Sequence, residues 1–489
     1  MIRTRSSLHL ALTLLLCGCA VGPDFQQPAP PSVDRITASP PAQETAASDT
    51  PGGAAQRLIV GGAVPADWWT LFHSPMLDGL VRDALLANPD LARARAALRI
   101  ANANAAAERA AFFPGLTAGF DATRQKTSNT LSPVLSTPVP IFNLYTPQLS
   151  ISYVPDLFGG TRRAVESAEA DARGQQFALH AAHLSLASNV ALAAIQYASL
   201  RDQIAAQQTI VFDADQLLGL LKDQNLRGAV STAAVSAQQA LFFQARAALV
   251  LLQKQLAQQQ DLLAALSGRL PADFKAPALS LTDLTLPREV PVSLPADLVR
   301  QRPDVRIAEE NLHAANAQVG VAIAAMLPNL NLSASAGSAA TAIGGLFGPG
   351  SAFWSIGAGL AQPLFDGGAL LAKKRAAEAG LDQAKAQYQT AVITAFQNTA
   401  DALEAVHFDA EALAANAAAN SAAADSFARA RHQRQLGDIG MPGVLLSEQN
   451  YQQAQIALIQ ARAGRYADVV GLFQALGGGW WNDKDKGAT

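Results

Sequence analysis

Two histidines three residues apart on a helix can grip one metal ion, and His180 and His183 have that spacing. His183 also lies on a seven-residue repeat of seam positions, however, and a polar seam residue explains it without a metal. The other histidines are scattered, with no second histidine and no cysteine at ligand spacing. Gly344, Gly345, Gly348 and Gly350 crowd one stretch, but no Gly-Lys-Ser or Gly-Lys-Thr comes after them, as a phosphate-cradling loop requires. Gly357-Ala358-Gly359 does not open a helix as a dinucleotide fingerprint would. No nucleophile stands with a base and an acid in a supported grouping. These residues point away from catalysis.

The cysteines carry chemistry of another kind. Arg3 and Arg5 precede an apolar run from Leu8 to Leu16, the composition of a secretory signal over residues 1–18. The run ends in Leu16-Cys17-Gly18-Cys19-Ala20, which resembles the cleavage box of bacterial lipoproteins. Cys19 is then the first mature residue, its sulfur bound to lipid. Cys17 leaves with the signal, so no thiol remains for a disulfide or a cysteine metal site. Ala20 in place of an aspartate resembles lipoproteins sent to the outer membrane. A single lipid anchor holds weakly, so firm attachment needs more of the chain. No cofactor is implied beyond this covalent lipid on Cys19.

Whatever the chain does must come from its elements, and these are built twice. Asn88-Pro89-Asp90 opens a segment ending at Phe113-Pro114-Gly115-Leu116. Arg302-Pro303-Asp304 opens another ending at Leu327-Pro328-Asn329-Leu330, offset by 214 residues at both ends. Each copy continues into an alternating stretch, a Leu-Phe-Gly-Gly or Leu-Phe-Asp-Gly-Gly corner and a long Ala-rich helix. The 489 residues therefore read as one unit repeated rather than as several unrelated domains. The boundaries expected are a signal at 1–18, a Pro/Ala/Ser-rich lipid-anchored tether at 19–66, and repeats at 67–269 and 296–480. A proline-rich connector at 270–295 joins the repeats, and a tail closes the chain at 481–489. Net charge is −3, with no dominating basic patch, which gives no support to nucleic-acid binding. Charged residues are 15% of the chain, yet no unbroken run of about 18 apolar residues marks a membrane-spanning helix.

Proline is absent from Asp156 through Leu270 and from Leu364 through Met441. Residues 161–226 are predicted as one helix of about 100 Å, at roughly 1.5 Å per residue. Helices predicted at 81–112 and 232–267 are each about half that long, so two laid end to end match the long one. The second copy repeats this with 369–436 against 296–326 and 444–476. His183, Val190, Tyr197, Ile204, Val211 and Leu218 form one seam of the first long helix. Leu179, Leu186, Ala193, Leu200, Gln207, Ala214 and Leu221 form the other. Val392, Thr399, Val406 and Leu413 with Phe396, Leu403 and Ala410 repeat the pattern, which is that of coiled-coil packing.

Four stretches alternate with period two: residues 116–123, 148–153, 330–335 and 354–360. Each is apolar on one face and small or polar on the other, as in an outer-membrane β-barrel with a wet interior. Open sheet edges cannot face lipid, and the smallest such barrels have about eight strands. Four strands per chain therefore require an oligomer. Loops 125–143 and 338–352 are expected to face outside.

At this point the chain resembles the TolC-type outer-membrane efflux proteins, in their NodT-like lipoprotein branch. The resemblance rests on Cys19-Ala20-Val21-Gly22-Pro23-Asp24-Phe25, on Trp68-Trp69 with Phe72, Pro75 and Leu77-Asp78, and on Ala87-Asn88-Pro89-Asp90-Leu91. Ala475-Leu476-Gly477-Gly478-Gly479-Trp480 completes it. It implies an α+β membrane protein: a homotrimer with a 12-stranded transmembrane barrel, four strands from each chain. A 12-helix periplasmic α-barrel and a small equatorial region would continue it. It further implies passive export of small molecules such as drugs, with a periplasmic adaptor and an inner-membrane RND transporter as partners and outer-membrane lipid around the barrel. Two alternatives stay open: a type I protein-secretion duct, and a periplasmic coiled-coil scaffold without a pore. By the same resemblance the helix-to-helix turns form a periplasmic tip, here Leu226-Arg227-Gly228-Ala229 and Leu436-Gly437-Asp438-Ile439-Gly440. Family members often carry carboxylates six and nine residues after the second-turn glycine. Gly443 and Leu446 stand there in this chain, so no acidic ring is carried over. Asp438 and Glu448 are the nearby acids and Arg227 and Arg434 the nearby bases; Asp438 reads equally well as a solvated turn residue.

Overall fold

The computed structural model describes residues 20–33, 35–37, 42–126 and 141–482. The signal segment, Cys19, most of loop 125–143 and the end of the tail lie outside the described residues. In chain order the elements are β1 (Arg57–Val60), α1 (Pro75–Ala87), α2 (Pro89–Arg109), β2 (Gly115–Lys126), β3 (Ile141–Tyr153), α3 (Gly160–Leu226) and α4 (Thr232–Leu266). Next come β4 (Glu289–Val292), α5 (Pro295–Gln301), α6 (Pro303–Ala324), β5 (Asn329–Ser338), β6 (Ala352–Ala361), α7 (Ala369–Leu436) and α8 (Met441–Ala475). The chain divides into two compact units, one of residues 1–28, 98–175 and 308–388, the other of 29–97, 176–307 and 389–489.

The first unit holds a four-stranded antiparallel sheet in the order β2-β3-β5-β6. Each repeat supplies one hairpin, and β3 pairs with β5 across the repeats.

The second unit holds the main core. Trp68, Phe72, Leu77, Leu279, Leu281, Tyr466 and Phe473 are fully buried there among the seam residues of α3. Val190, Tyr197, Leu218 and Leu221 are buried as the heptads require, and so are Thr399, Val406 and Leu413 on α7. A two-stranded parallel pair, β1 with β4, ties the segment before the first repeat to the connector. Neither strand was anticipated, because four residues are too few to show a period. Residues 42–66 are accordingly a strap held on the core rather than a loose tether. Arg465, almost fully buried, donates to the carbonyls of Gly52 at 3.0 Å and Ala54 at 2.7 Å and to Thr45 Oγ1 at 3.1 Å.

The structure corrects the helices predicted at 81–112 and 296–326. Each is two helices, broken at Asn88 and at Arg302. Proline forces its preceding residue out of the helical region, and ψ is 127° at Asn88 and 124° at Arg302. Pro89 and Pro303 then open the next helix, where a missing N–H costs nothing. The two break residues do corresponding work. Asn88 Nδ2 donates to Leu266 O, the last carbonyl of α4, at 2.9 Å, and Arg302 Nη1 donates to Ala475 O, the last of α8, at 2.7 Å. The repeated Pro-Asp motif is thus a clamp on the end of a neighbouring helix in both copies.

A second correction concerns hydropathy. Windows within α3 and α4 reach mean hydropathies of 1.4 and 1.2, enough in length and composition to cross a membrane. Ala and Leu packed into coiled-coil seams produce the same averages, and the buried heptad positions of α3 account for its window.

Candidate functional site

The strand register sorts side chains onto two faces. On one face Leu116, Ile151, Ala334 and Ile356 form a continuous row, and Ala118, Leu149, Ala336 and Trp354 form the next. On the other, Thr117, Ser150, Ser335 and Ser355 stand side by side, with Gly115, Ser152, Ser333 and Gly357 beside them. Directly opposed residues share a face, so alternation within each strand becomes apolar and polar bands across all four. The apolar face is bare: Ile356 is 79% exposed and Trp354 75%. Large exposed apolar surface of this kind marks contact with lipid or protein. On the small-polar face the Ser335 and Ser355 hydroxyls lie 2.8 Å apart. The alternation fails near the loop end, where Phe142, Leu144 and Phe353 fall on the otherwise polar face. The outer edges of β2 and β6 pair with no strand among the described residues.

The two helix turns share one geometry. Gly228 has φ +72° and Gly437 φ +85°, the left-handed conformation in which glycine carries no Cβ penalty. Ala229 N donates to Gln224 O at 2.8 Å and Gly228 N to Asn225 O at 2.9 Å. At the other turn Asp438 N donates to Gln433 O at 2.9 Å and Gly437 N to Arg434 O at 3.2 Å. Both helices therefore end in a full Schellman motif. The helix starts beyond the two turns differ. Ser231 caps α4 by accepting from Ala234 N at 3.3 Å, whereas Gly440 precedes α8 with no side-chain cap and Pro442 sits in its first turn.

The tip residues named from sequence separate in space. Arg227, Gly228, Gly437 and Asp438 lie exposed on the turns, and Leu446 is exposed on the first turns of α8. Arg434 is half-buried and Glu448 nearly fully buried. Glu448 lines two neighbouring cavities, of about 360 and 310 Å³. The smaller also takes Asp213, Phe427, Arg431 and Arg434. Burial, then the charge of Asp213, push the Glu448 carboxyl above its ordinary range, against the opposing pull of Arg431. Glu448 accepts from Gln452 Nε2 at 3.2 Å. Just beyond, Leu221, Met441 and Val444 make a small apolar cluster of their own. Between it and the main core the larger cavity is walled by Gln207, Gln238, Gln449 and Gln452. Among Glu448, Asp213 and these glutamines, only Glu448 and, as a seam position, Gln207 were named from sequence. Asp213 and the other glutamines carry no motif, and they sit on helices far apart in the chain.

A second acid, half-buried, joins α7 to α8. Asp468 is pushed up to about 7, first by burial, then by a hydrogen bond with Asp409 and by the charge of that neighbour. His180 stacks on Trp480 with ring centroids 4.6 Å apart, and it shares a cavity of about 190 Å³ with His183, Trp68 and Trp69. Among the described residues no three His, Cys, Asp or Glu side chains gather as metal ligands.

Comparison with known proteins bears on this arrangement directly. The family described as outer membrane efflux protein matches residues 80–269 and 294–478. A toluene efflux pump outer membrane protein of Pseudomonas putida, TtgC, is 30% identical over 481 residues, covering 98% of this chain and 96% of its own. The pyoverdine export outer membrane protein OpmQ of Pseudomonas aeruginosa is 31% identical over 427 residues, 85% of this chain and 88% of its own. Among solved structures the outer-membrane channel OprN superposes with a TM-score of 0.85 at 26% identity, covering 94% of this chain and all of that one.

Proposed function

This chain belongs to the outer membrane efflux protein family, and from that premise we propose that three copies close their sheets into one duct for small molecules. It has the fold of the TolC-like outer-membrane channels and is the outer-membrane component of an efflux pump in a Gram-negative bacterium. Its relatives are transport channels rather than enzymes.

The finer reading rests chiefly on the sheet. One apolar face runs unbroken over four strands, and both outer edges lack partners among the described residues. Backbone groups at an open edge cannot be left in hydrocarbon. Three chains of four strands give a closed barrel with the small-polar face inside and the apolar face in lipid. The long helices of the same three chains supply the periplasmic tunnel, and residues 67–269 and 296–480 act as its two repeats. Cys19 carries lipid at the start of the mature chain. The turns at Gly228 and Gly437, with Arg227, Arg434, Asp438, Leu446 and Glu448 around them, form the end that meets a periplasmic adaptor and, through it, an RND transporter. The cargo is small and chemically varied, in keeping with the toluene, antibiotic and pyoverdine named for relatives.

Deletion of the gene in its own host tests this. Susceptibility to solvents and antibiotics is expected to rise and to return to the wild-type level on complementation. Unchanged susceptibility in a strain whose other pump components are expressed counts against the reading.

A further inference from the structure

We infer that the cleft where β3 passes into α3 and α6 passes into β5 is the seat of an acyl chain carried by Cys19. This rests on the lipidation proposed above and goes beyond it, because it makes the lipid a ligand of the chain itself as well as a tether to the membrane.

The first described residues are held in a built site. Val21 N donates to Phe158 O at 3.0 Å, and Asn316 Nδ2 donates to Pro23 O at 2.8 Å. Arg163, whose side chain is 6% exposed, reaches Asp24 Oδ1 at 2.6 Å, Val21 O at 3.3 Å and Glu166 at 2.8 Å. Phe25 stacks flat on His313, with centroids 4.1 Å apart, and His313 Nε2 is in turn 2.9 Å from Glu166. A Cβ at Gly159 would lie 2.6 Å from Ala20 Cα, so the two backbones touch there. The stretch from Ala20 to Phe25 is thus fixed by ion pair, hydrogen bonds, ring stacking and backbone contact. A loose tether would show none of these.

That seat ends one residue from the lipidated position. Consecutive Cα atoms are about 3.8 Å apart, and Ala20, the residue that follows Cys19, touches Gly159. Phe158 and Gly160 line a cleft of about 270 Å³, with Val154, Leu157, Val321 and Leu327 as its main apolar walls. Its one carboxylate is already used: Asp156 accepts from Thr161 N at 3.0 Å and Arg162 N at 2.9 Å, capping the start of α3. The open lining is mixed, somewhat more apolar than polar, with Leu157 45% and Val154 43% exposed. The cleft lies where β3 ends and β5 begins, with Val154 and Leu330 in its lining.

The test uses the full chain in a Gram-negative host fed a photoactivatable diazirine analogue of palmitate. After irradiation, outer-membrane protein is digested and its cross-links are mapped by mass spectrometry. The expected result joins the Cys19 peptide, through its acyl chain, to peptides spanning 154–161 or 321–330. An Asp24→Ala/Phe25→Ala variant that still assembles is expected to lose most of this link while keeping the label on Cys19. Label on Cys19 with cross-links to phospholipid alone overturns the inference and leaves lipidation intact. Cleft peptides cross-linked to labelled phospholipid instead of to Cys19 make the occupant a membrane lipid, and also overturn it. No label on Cys19 overturns the lipidation reading itself.

Discussion

Helices α4 and α8 hold the same place in the two repeats, and each has 35 residues. Within one chain they fare very differently. Helix α8 buries twelve of its residues, among them Tyr466, Val469, Val470 and Phe473. Helix α4 buries three, Gln238, Leu263 and Ala264, and leaves Phe243, Val250 and Leu251 more than half exposed. The strap over residues 42–66, fixed through Arg465, contacts α8 and has no counterpart on α4 among the described residues. One copy of the repeat is therefore finished by its own chain, and the other keeps an apolar face that needs a neighbour. The edges of β2 and β6, unpaired among the described residues, make the same demand through backbone hydrogen bonds.

The largest effect is expected where the bare face of α4 is spoiled. Val250→Asp/Leu251→Asp removes two apolar side chains, each worth about 1.5–3 kcal/mol when buried, and places two charges in the contact. Assembled oligomer should vanish from unheated gels of outer membranes. Asn450→Asp, on the exposed side of α8, should leave it intact. Equal damage from both would remove the distinction between the helices.

A somewhat smaller effect should separate the two sheet faces. Ile356→Arg puts a charge on the apolar face, at a cost of about 2–4 kcal/mol near the bilayer midplane, and assembly should fall. Ser355→Arg, one residue earlier and on the opposite face, should preserve assembly and change the ion preference of the conductance. Reversal of these outcomes would invert the assigned faces.

The turns are alike in capping, so Gly228→Val and Gly437→Val should cost similar stability. A β-branched residue held in the left-handed region costs about 1–3 kcal/mol. Thermal unfolding of the two variants measures this, and any excess loss of efflux in one of them would identify the turn that does more in docking or closure.

The smallest effect is a pH slope confined to α8. An ordinary aspartate titrates near 3.9, whereas Asp468 is held up to about 7. Between those values the folded chain retains a proton that the unfolded chain has lost. Stability therefore falls as pH rises from about 4 to about 7, and the penalty is complete above that window. Asp468→Asn should flatten this slope, melting higher than wild type at alkaline pH and level with it near the acid end. A slope unchanged by the substitution would assign the pH dependence elsewhere.

Much of the fold was legible because its periods are long. Seven-residue seams gave α3 and α7 almost to the residue, and period two gave the four sheet strands with their faces, except that β3 starts at Ile141, inside the expected loop 125–143, where its alternation fails. The same averaging hid the breaks at Asn88 and Arg302, since one residue forced out of the helical region leaves the surrounding pattern intact. It also hid β1 and β4, which are too short for a period, and the strap, whose composition matches a loose linker. The candidate site was less readable. Gly228 and Gly437 announced their turns through backbone chemistry that only glycine meets easily. Glu448, Asp213 and the Asp409–Asp468 pair depend on which helix faces join, and neither spacing nor composition records that.

The requirement for neighbours is tested most directly by the native mass of the detergent-extracted particle, measured together with its conductance in a planar bilayer. A particle of three chains that conducts is the expected result. A folded, non-conducting single chain with its α4 face still bare would contradict it.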